Sequence, residues 1–177
     1  MGASGDSPRM IDETVEEIAD MQTHSSSVVA VKAARALLAM TDRDYPTVEE
    51  YVRGLERNSN ALRRANRSHA SLQTTQREIV SRVEDADVAD VEAAQSLTTE
   101  VIEEVVDRVQ SAKRRAGERA ARLLEDGDTV YTYDYSSTVL EAFERADADD
   151  VELTVYCSEA RPRFLGRKMA RTLGSLD

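Results

Sequence analysis

The stretch Asp126–Arg171 constrains the fold more than any other, because it reads strand, polar loop, helix, strand, polar loop, helix. The first unit is T-V-Y-T-Y (Thr129 to Tyr133), the loop D-Y-S-S (Asp134 to Ser137), and a helix carrying Val139, Leu140 and Phe143. The second is V-E-L-T-V-Y (Val151 to Tyr156), the loop C-S-E-A-R-P (Cys157 to Pro162), and a helix carrying Phe164, Leu165, Met169 and Leu173. Alternating strands and helices predict a parallel sheet, whose ligands sit beyond the strand C-termini. Helix N-termini in that crevice favour anions. Pro162 suits the first turn of its helix, where a missing N–H costs nothing.

Everything before Asp126 has helical periodicity. Ile11, Val15, Ile18 and Gln22 give a first amphipathic stretch, led by acidic residues suited to a helix N-terminus. Ser25 to Met40 is apolar on nearly every side and is expected to be central and buried. Thr47 and Glu50 form a capping box after Pro46, with Val48, Tyr51, Val52 and Leu55 on one face. Leu62, Ala65, His69, Leu72, Gln76, Ile79 and Val83 then recur at alternating three and four. The longest element, from about Asp87 to Glu125, keeps a stripe from Val91 through Ala112 and Ala116 to Leu123; it either runs unbroken for roughly 55–60 Å or breaks once, near Gly117. The fold class is thus an α-helical bundle followed by the first two β-α units of a Rossmann-like parallel sheet. The expected divisions are a disordered 1–7, a helical domain over 8–126 and an α/β segment over 127–177.

The net charge of −11 argues against direct nucleic-acid binding, which needs Lys and Arg to neutralise phosphates. Abundant carboxylates beside only three lysines (Lys32, Lys113, Lys168) match a halophilic composition, in which salt screens self-repulsion. The cluster Lys113, Arg114, Arg115 reads as a solvated face. No apolar run approaches the roughly 20 residues that span a bilayer, and one cysteine fits a reducing compartment. A cytoplasmic protein is expected. His69 reads as a packed core residue, and His24 as part of a helix cap with Ser25 or Ser26. Cys157 reads as a structural strand-end residue, with no histidine nearby in sequence. No metal site and no cofactor are expected.

Two linked runs carry a family resemblance. D-G-D-T-V-Y-T-Y-D-Y-S-S-T-V-L-E-A (Asp126 to Ala142) and V-Y-C-S-E-A-R-P-R-F-L-G-R-K-M-A (Val155 to Ala170) resemble the alpha/beta/delta regulatory subunits of translation initiation factor 2B. That superfamily also holds isomerases of ribose 1,5-bisphosphate and methylthioribose 1-phosphate. The resemblance implies that further strands and helices follow in family members, so the sequence looks like an N-terminal half. It also implies a regulatory or protein-interaction module linked to translation initiation, assembling as a homo- or hetero-oligomer of family members. The alternative is an isomerase-like protein, or a sensor of nucleotides or sugar phosphates.

Aligning T-Y-D-Y-S with the isomerases' T-H-C-H-S arrangement sets Asp134 where their catalytic cysteine stands. A carboxylate differs from a thiol in pKa and geometry. T-H-S-S (Thr23 to Ser26) lacks the arginine and glycine of their R-G-A segment, and their catalytic aspartate belongs to the other half. On these departures the chain is expected not to be an enzyme. Two roles stay open for the loops. Ser136, Ser137 and Thr138, with Arg161 in the facing loop, form a site for a phosphorylated metabolite. Alternatively, Ser136 is only an N-cap and Arg161 pairs with Glu159 or a helix terminus.

Overall fold

The computed structural model describes residues 7–20 and 25–176. His24 and Thr23 lie outside the described residues, as do residues 1–6. Among the described residues seven α-helices and two strands follow in the order α1 (Ser7–Ala19), α2 (Ser26–Ala36), α3 (Val48–Ala65), α4 (Ala70–Glu84), α5 (Val91–Ala121), β1 (Thr129–Tyr133), α6 (Ser137–Ala148), β2 (Thr154–Ser158) and α7 (Gly166–Leu173). The chain forms two compact units, one up to Val109 and one from Gln110, so the division falls inside α5.

The first unit is helical, and its core is built from the predicted stripes. Ile11 and Ile18 of α1, Val29, Ala33 and Ala34 of α2, and Tyr51, Leu55 and Leu62 of α3 are all buried. α1 starts at Ser7, so no acidic residue stands in its first turn, contrary to the expected acidic lead. α2 tightens into a 3₁₀ turn at Leu37–Met40. Thr47 caps α3 as expected, its hydroxyl accepting from the Glu50 N–H at 3.2 Å. Tyr51 is fully buried, and its hydroxyl donates to Thr98 Oγ1 at 2.7 Å.

The stripe from Leu62 to Val83 is not one helix. Asn66 leaves helical geometry at φ −148° and ψ 97°. Its Oδ1 accepts both the backbone N–H and the hydroxyl of Ser68, an Asx turn that competes with the helix ladder. His69 accordingly takes the N-cap position of α4 rather than an interior core position. The three-and-four spacing persists across the break because Leu62 and Leu72 enter the same core.

α5 runs 31 residues without interruption, about 46 Å at 1.5 Å per residue. Gly117 does not break it. A Cβ there would stand 2.5 Å from Glu141 Cγ and 2.9 Å from Glu141 Cβ, so glycine lets α6 approach. Beyond Val109 the buried positions are Ser111, Gly117 and Ala121, while Ala112 and Ala116 are exposed and Leu123 lies outside the helix. Lys113 pairs with Glu141 at 3.4 Å and Arg145 with Glu118 at 2.8 Å, which fastens α6 to this half of α5. Arg114 and Arg115 are exposed.

In the second unit β1 and β2 pair in parallel, with Thr129 opposite Thr154 and Tyr133 opposite Ser158. Gly127, at φ 81°, makes the turn into β1, and its N–H donates to Glu152 O at 2.8 Å. α6 ends in a Schellman motif: the Val151 N–H reaches Ala146 O at 2.9 Å and the Asp150 N–H reaches Asp147 O at 3.0 Å. Asp150 holds the left-handed position at φ 57°. β2 begins at Thr154 rather than Val151 and includes Cys157. α7 begins at Gly166, so Pro162 lies ahead of the helix and not in its first turn; the Arg161–Pro162 bond is cis and Phe164 stands at φ 52°, outside helical space.

Candidate functional site at the strand ends

The loops after β1 and β2 meet at the carboxyl ends of the strands. The Asp134 N–H donates to Ser158 O at 3.0 Å, and the Tyr131 hydroxyl donates to Ser158 Oγ at 2.7 Å. These two bonds tie the root of the first loop to that of the second.

Asp134 is the unusual residue. Its φ of 57° puts a non-glycine residue in the left-handed region, which occurs chiefly where surrounding structure enforces it. Its Oδ1 is buried and has no hydrogen-bond partner among the described residues. A buried, unspent carboxylate oxygen costs free energy. At this edge it is a group able to accept a sugar hydroxyl or a proton.

Ser136, Ser137 and Thr138 follow at the start of α6, all half-buried. Ser136 is the N-cap, with extended backbone, and its Oγ accepts from the Val139 N–H at a long 3.4 Å. Such a start presents hydroxyls and backbone N–H groups with the positive end of the helix dipole behind them.

On the facing loop Arg161 is exposed. Glu159, one of its expected partners, is taken instead by Arg167, whose Nε is 2.7 Å from Glu159 Oε2. Arg167 also lies over the Phe164 ring, 4.9 Å from its centroid. The cation set against the first loop is Lys168, with Nζ 4.7 Å from the centroid of the Tyr135 ring. Sequence reasoning passed over Lys168. The available signal was its place two residues after Gly166, in the first turn of α7.

Gly166 sets how closely that turn can approach. A Cβ there would stand 2.0 Å from Ser158 O and 2.7 Å from Ser158 C, so α7 begins directly on the backbone of the second loop. Cys157 is half-buried on β2, and burial pushes its thiol up from the ordinary value, which keeps it protonated. A groove of about 800 Å³ runs along β2 between α6 and α7, lined by Phe143, Val155, Cys157, Ala170, Leu173 and Leu176 among others. Ser136, Ser137, Thr138 and Arg161 do not line it.

Residues 22–176 match the Initiation factor 2 subunit family, IF-2B. The chain belongs to this family. Among IF-2B relatives, the ribose 1,5-bisphosphate isomerase of Thermococcus kodakarensis is 25% identical over 166 residues, covering 92% of this chain and 52% of its own length. A translation initiation factor eIF-2B subunit 2-like protein of Pyrococcus horikoshii is 28% identical over 167 residues, covering 94% of this chain and 56% of its own. The crystal structure of Pyrococcus horikoshii translation initiation factor eIF-2B superposes with a TM-score of 0.78 at 25% identity, over 94% of this chain and 56% of that one. The chain spans about half the length of the curated relatives it matches.

The expectation that the chain is not an enzyme is overturned here. Relatives from several archaea bear the name of an isomerase and match more than nine-tenths of the chain. The exclusion rested on three departures from the isomerase pattern, and the first of them, Asp134 at the cysteine position, is a group that can also exchange protons. Among the described residues, no helix is long and apolar enough to cross a membrane.

Proposed function

We propose that this chain forms the phosphate-binding part of a sugar-phosphate protein of the ribose 1,5-bisphosphate isomerase branch of IF-2B. In this reading the ligand's phosphate sits at the start of α6 against Ser136, Ser137 and Thr138. Arg161 and Lys168 supply charge from the facing loop and from α7. Asp134 accepts from a sugar hydroxyl or takes a proton at the same edge. The observation that carries the reading is the buried, unspent Asp134 Oδ1 beside the α6 N-terminus. The isomerase-named relatives support it.

Calorimetric titration with ribose 5-phosphate and AMP tests the proposal. Millimolar or tighter binding is expected, weakened at least tenfold in the Ser137→Ala, Arg161→Ala double variant. No heat at millimolar ligand, or unchanged binding in that variant, leaves Ser136 with its capping role and removes the site.

A second reading, a regulatory or interaction module linked to translation initiation, is favoured by the relatives named eIF-2B subunit 2-like. It places the function in assembly with family members. Concentration-dependent association in sedimentation, with no ligand heat, is the result that selects it.

A further inference from the structure

The first unit holds a second cationic site that the strand-end loops do not account for. Asn60, Arg63, Arg64, Arg67 and Gln73 line a cleft of about 280 Å³ at the turn from α3 to α4. Four arginines elsewhere are each neutralised by a glutamate: Arg82 by Glu104, Arg108 by Glu78, Arg145 by Glu118 and Arg167 by Glu159. Arg63, Arg64 and Arg67 make no ion pair among the described residues, and neither does the neighbouring Arg77. What sets this group apart is its convergence: three guanidinium groups line one cleft whose lining holds no carboxylate.

Arg63 is held ready by neutral groups. Its Nε donates to Gln73 Oε1 at 3.1 Å and its Nη1 to Asn60 Oδ1 at 3.1 Å. Gln73 is fixed in turn, its Nε2 donating to Arg63 O at 2.8 Å and Asn66 O at 3.2 Å. This leaves the Nη2 side of the guanidinium unspent. Burial, and then the nearby Arg77 charge, lower the affinity of Arg63 for its proton, and no carboxylate offsets them. The α3 dipole accounts for cations in that helix's last turn, Arg63 and Arg64. It does not account for Arg67 beyond the helix or Arg77 on α4.

We infer that this cleft binds a small anion carrying two adjacent phosphoryl groups, of the pyrophosphate type, with Arg63 as the fixed fork and Arg64 and Arg67 as closing cations. Guanidinium forks bind phosphoryl oxygens in pairs. Three lining guanidinium charges exceed what one monophosphate can neutralise. No aromatic side chain lines the cleft, so it offers no platform for a nucleobase.

Titration with inorganic pyrophosphate at constant ionic strength, monitored by calorimetry, is the test. Saturable binding is expected, at least tenfold tighter than for orthophosphate and weakened at least tenfold by Arg64→Gln with Arg67→Gln. Those two side chains are exposed and make no hydrogen bond or ion pair among the described residues, so the variant keeps the fold. Ser137→Ala with Arg161→Ala leaves this binding unchanged, which separates the site from the strand-end one. No saturable heat at several millimolar pyrophosphate overturns the inference, as does a double variant that binds like the parent. Displacement of pyrophosphate by a single-stranded RNA at far lower concentration also overturns it, because the face is then a nucleic-acid surface.

Discussion

Replacing Gly166 with alanine tests how α7 and the second loop are joined. The backbone needs no positive φ at this position, so conformational strain is not the issue and alanine gains about 0.5–1 kcal/mol of helix propensity. Against that gain stands a new methyl group 2.0 Å from Ser158 O, 2.7 Å from Ser158 C and 3.0 Å from Glu159 Cα. All three are main-chain atoms that no rotamer change can move. Reaching even 3.0 Å requires about 1 Å of displacement of α7 or of the strand end, and overpacking of that kind costs about 1–3 kcal/mol, at times more. The displacement also pulls on the Asp134–Ser158 and Tyr131–Ser158 bonds, so the upper end applies and the net loss is about 2 kcal/mol. Gly174→Ala is the control, since its Cβ would be 3.4 Å from Ala170 O, an ordinary contact. Urea unfolding followed by hydrogen exchange of the Thr154–Ser158 amides measures the difference. If Gly166→Ala lies within about 0.5 kcal/mol of the control, the close approach of α7 to β2 is not what glycine serves here.

Three further outcomes are expected. Gln76 is fully buried, and neither atom of its side-chain amide has a partner among the described residues; Gln76→Leu should raise stability by about 1–3 kcal/mol in thermal unfolding, and a loss would mean the amide is satisfied. Burial pushes the Tyr51 hydroxyl up to about 12 from an ordinary 10, so its contribution is complete below pH 10 and is lost as pH rises from 10 towards 12; Tyr51→Phe should abolish that part of the alkaline decline while costing about 1 kcal/mol at neutral pH through the lost Thr98 bond. With 34 acidic against 23 basic residues, the melting temperature should rise from dilute to molar KCl, and a flat or falling curve would refute a halophilic fold.

The strands, the order of elements and most core residues were legible because periods of two and of three to four report burial directly. What was not legible depends on contacts made at a distance in the chain. Nothing in the spacing of Leu62, His69 and Leu72 tells that Asn66 turns its side-chain amide oxygen onto the N–H of Ser68. Gly117 reads as a breaker in isolation, and only the position of Glu141 shows it to be a point of contact. The serine and threonine cluster at α6 could be placed from sequence as a helix start. The left-handed Asp134 and the Lys168 over Tyr135 could not, since both follow from how two loops meet.

The parallel pairing of β1 and β2 also shapes how the second unit comes together. Each residue of β1 meets a partner twenty-five positions later, with all of α6 between them. Such strands cannot zip from a tight turn as a hairpin does, so loop closure precedes any ladder hydrogen bond. The crossover helix shortens that search once its Leu140 and Phe143 face is formed. Changes in α6 should therefore act mainly on the rate of folding, and changes at the open tyrosine face of the strands mainly on the rate of unfolding.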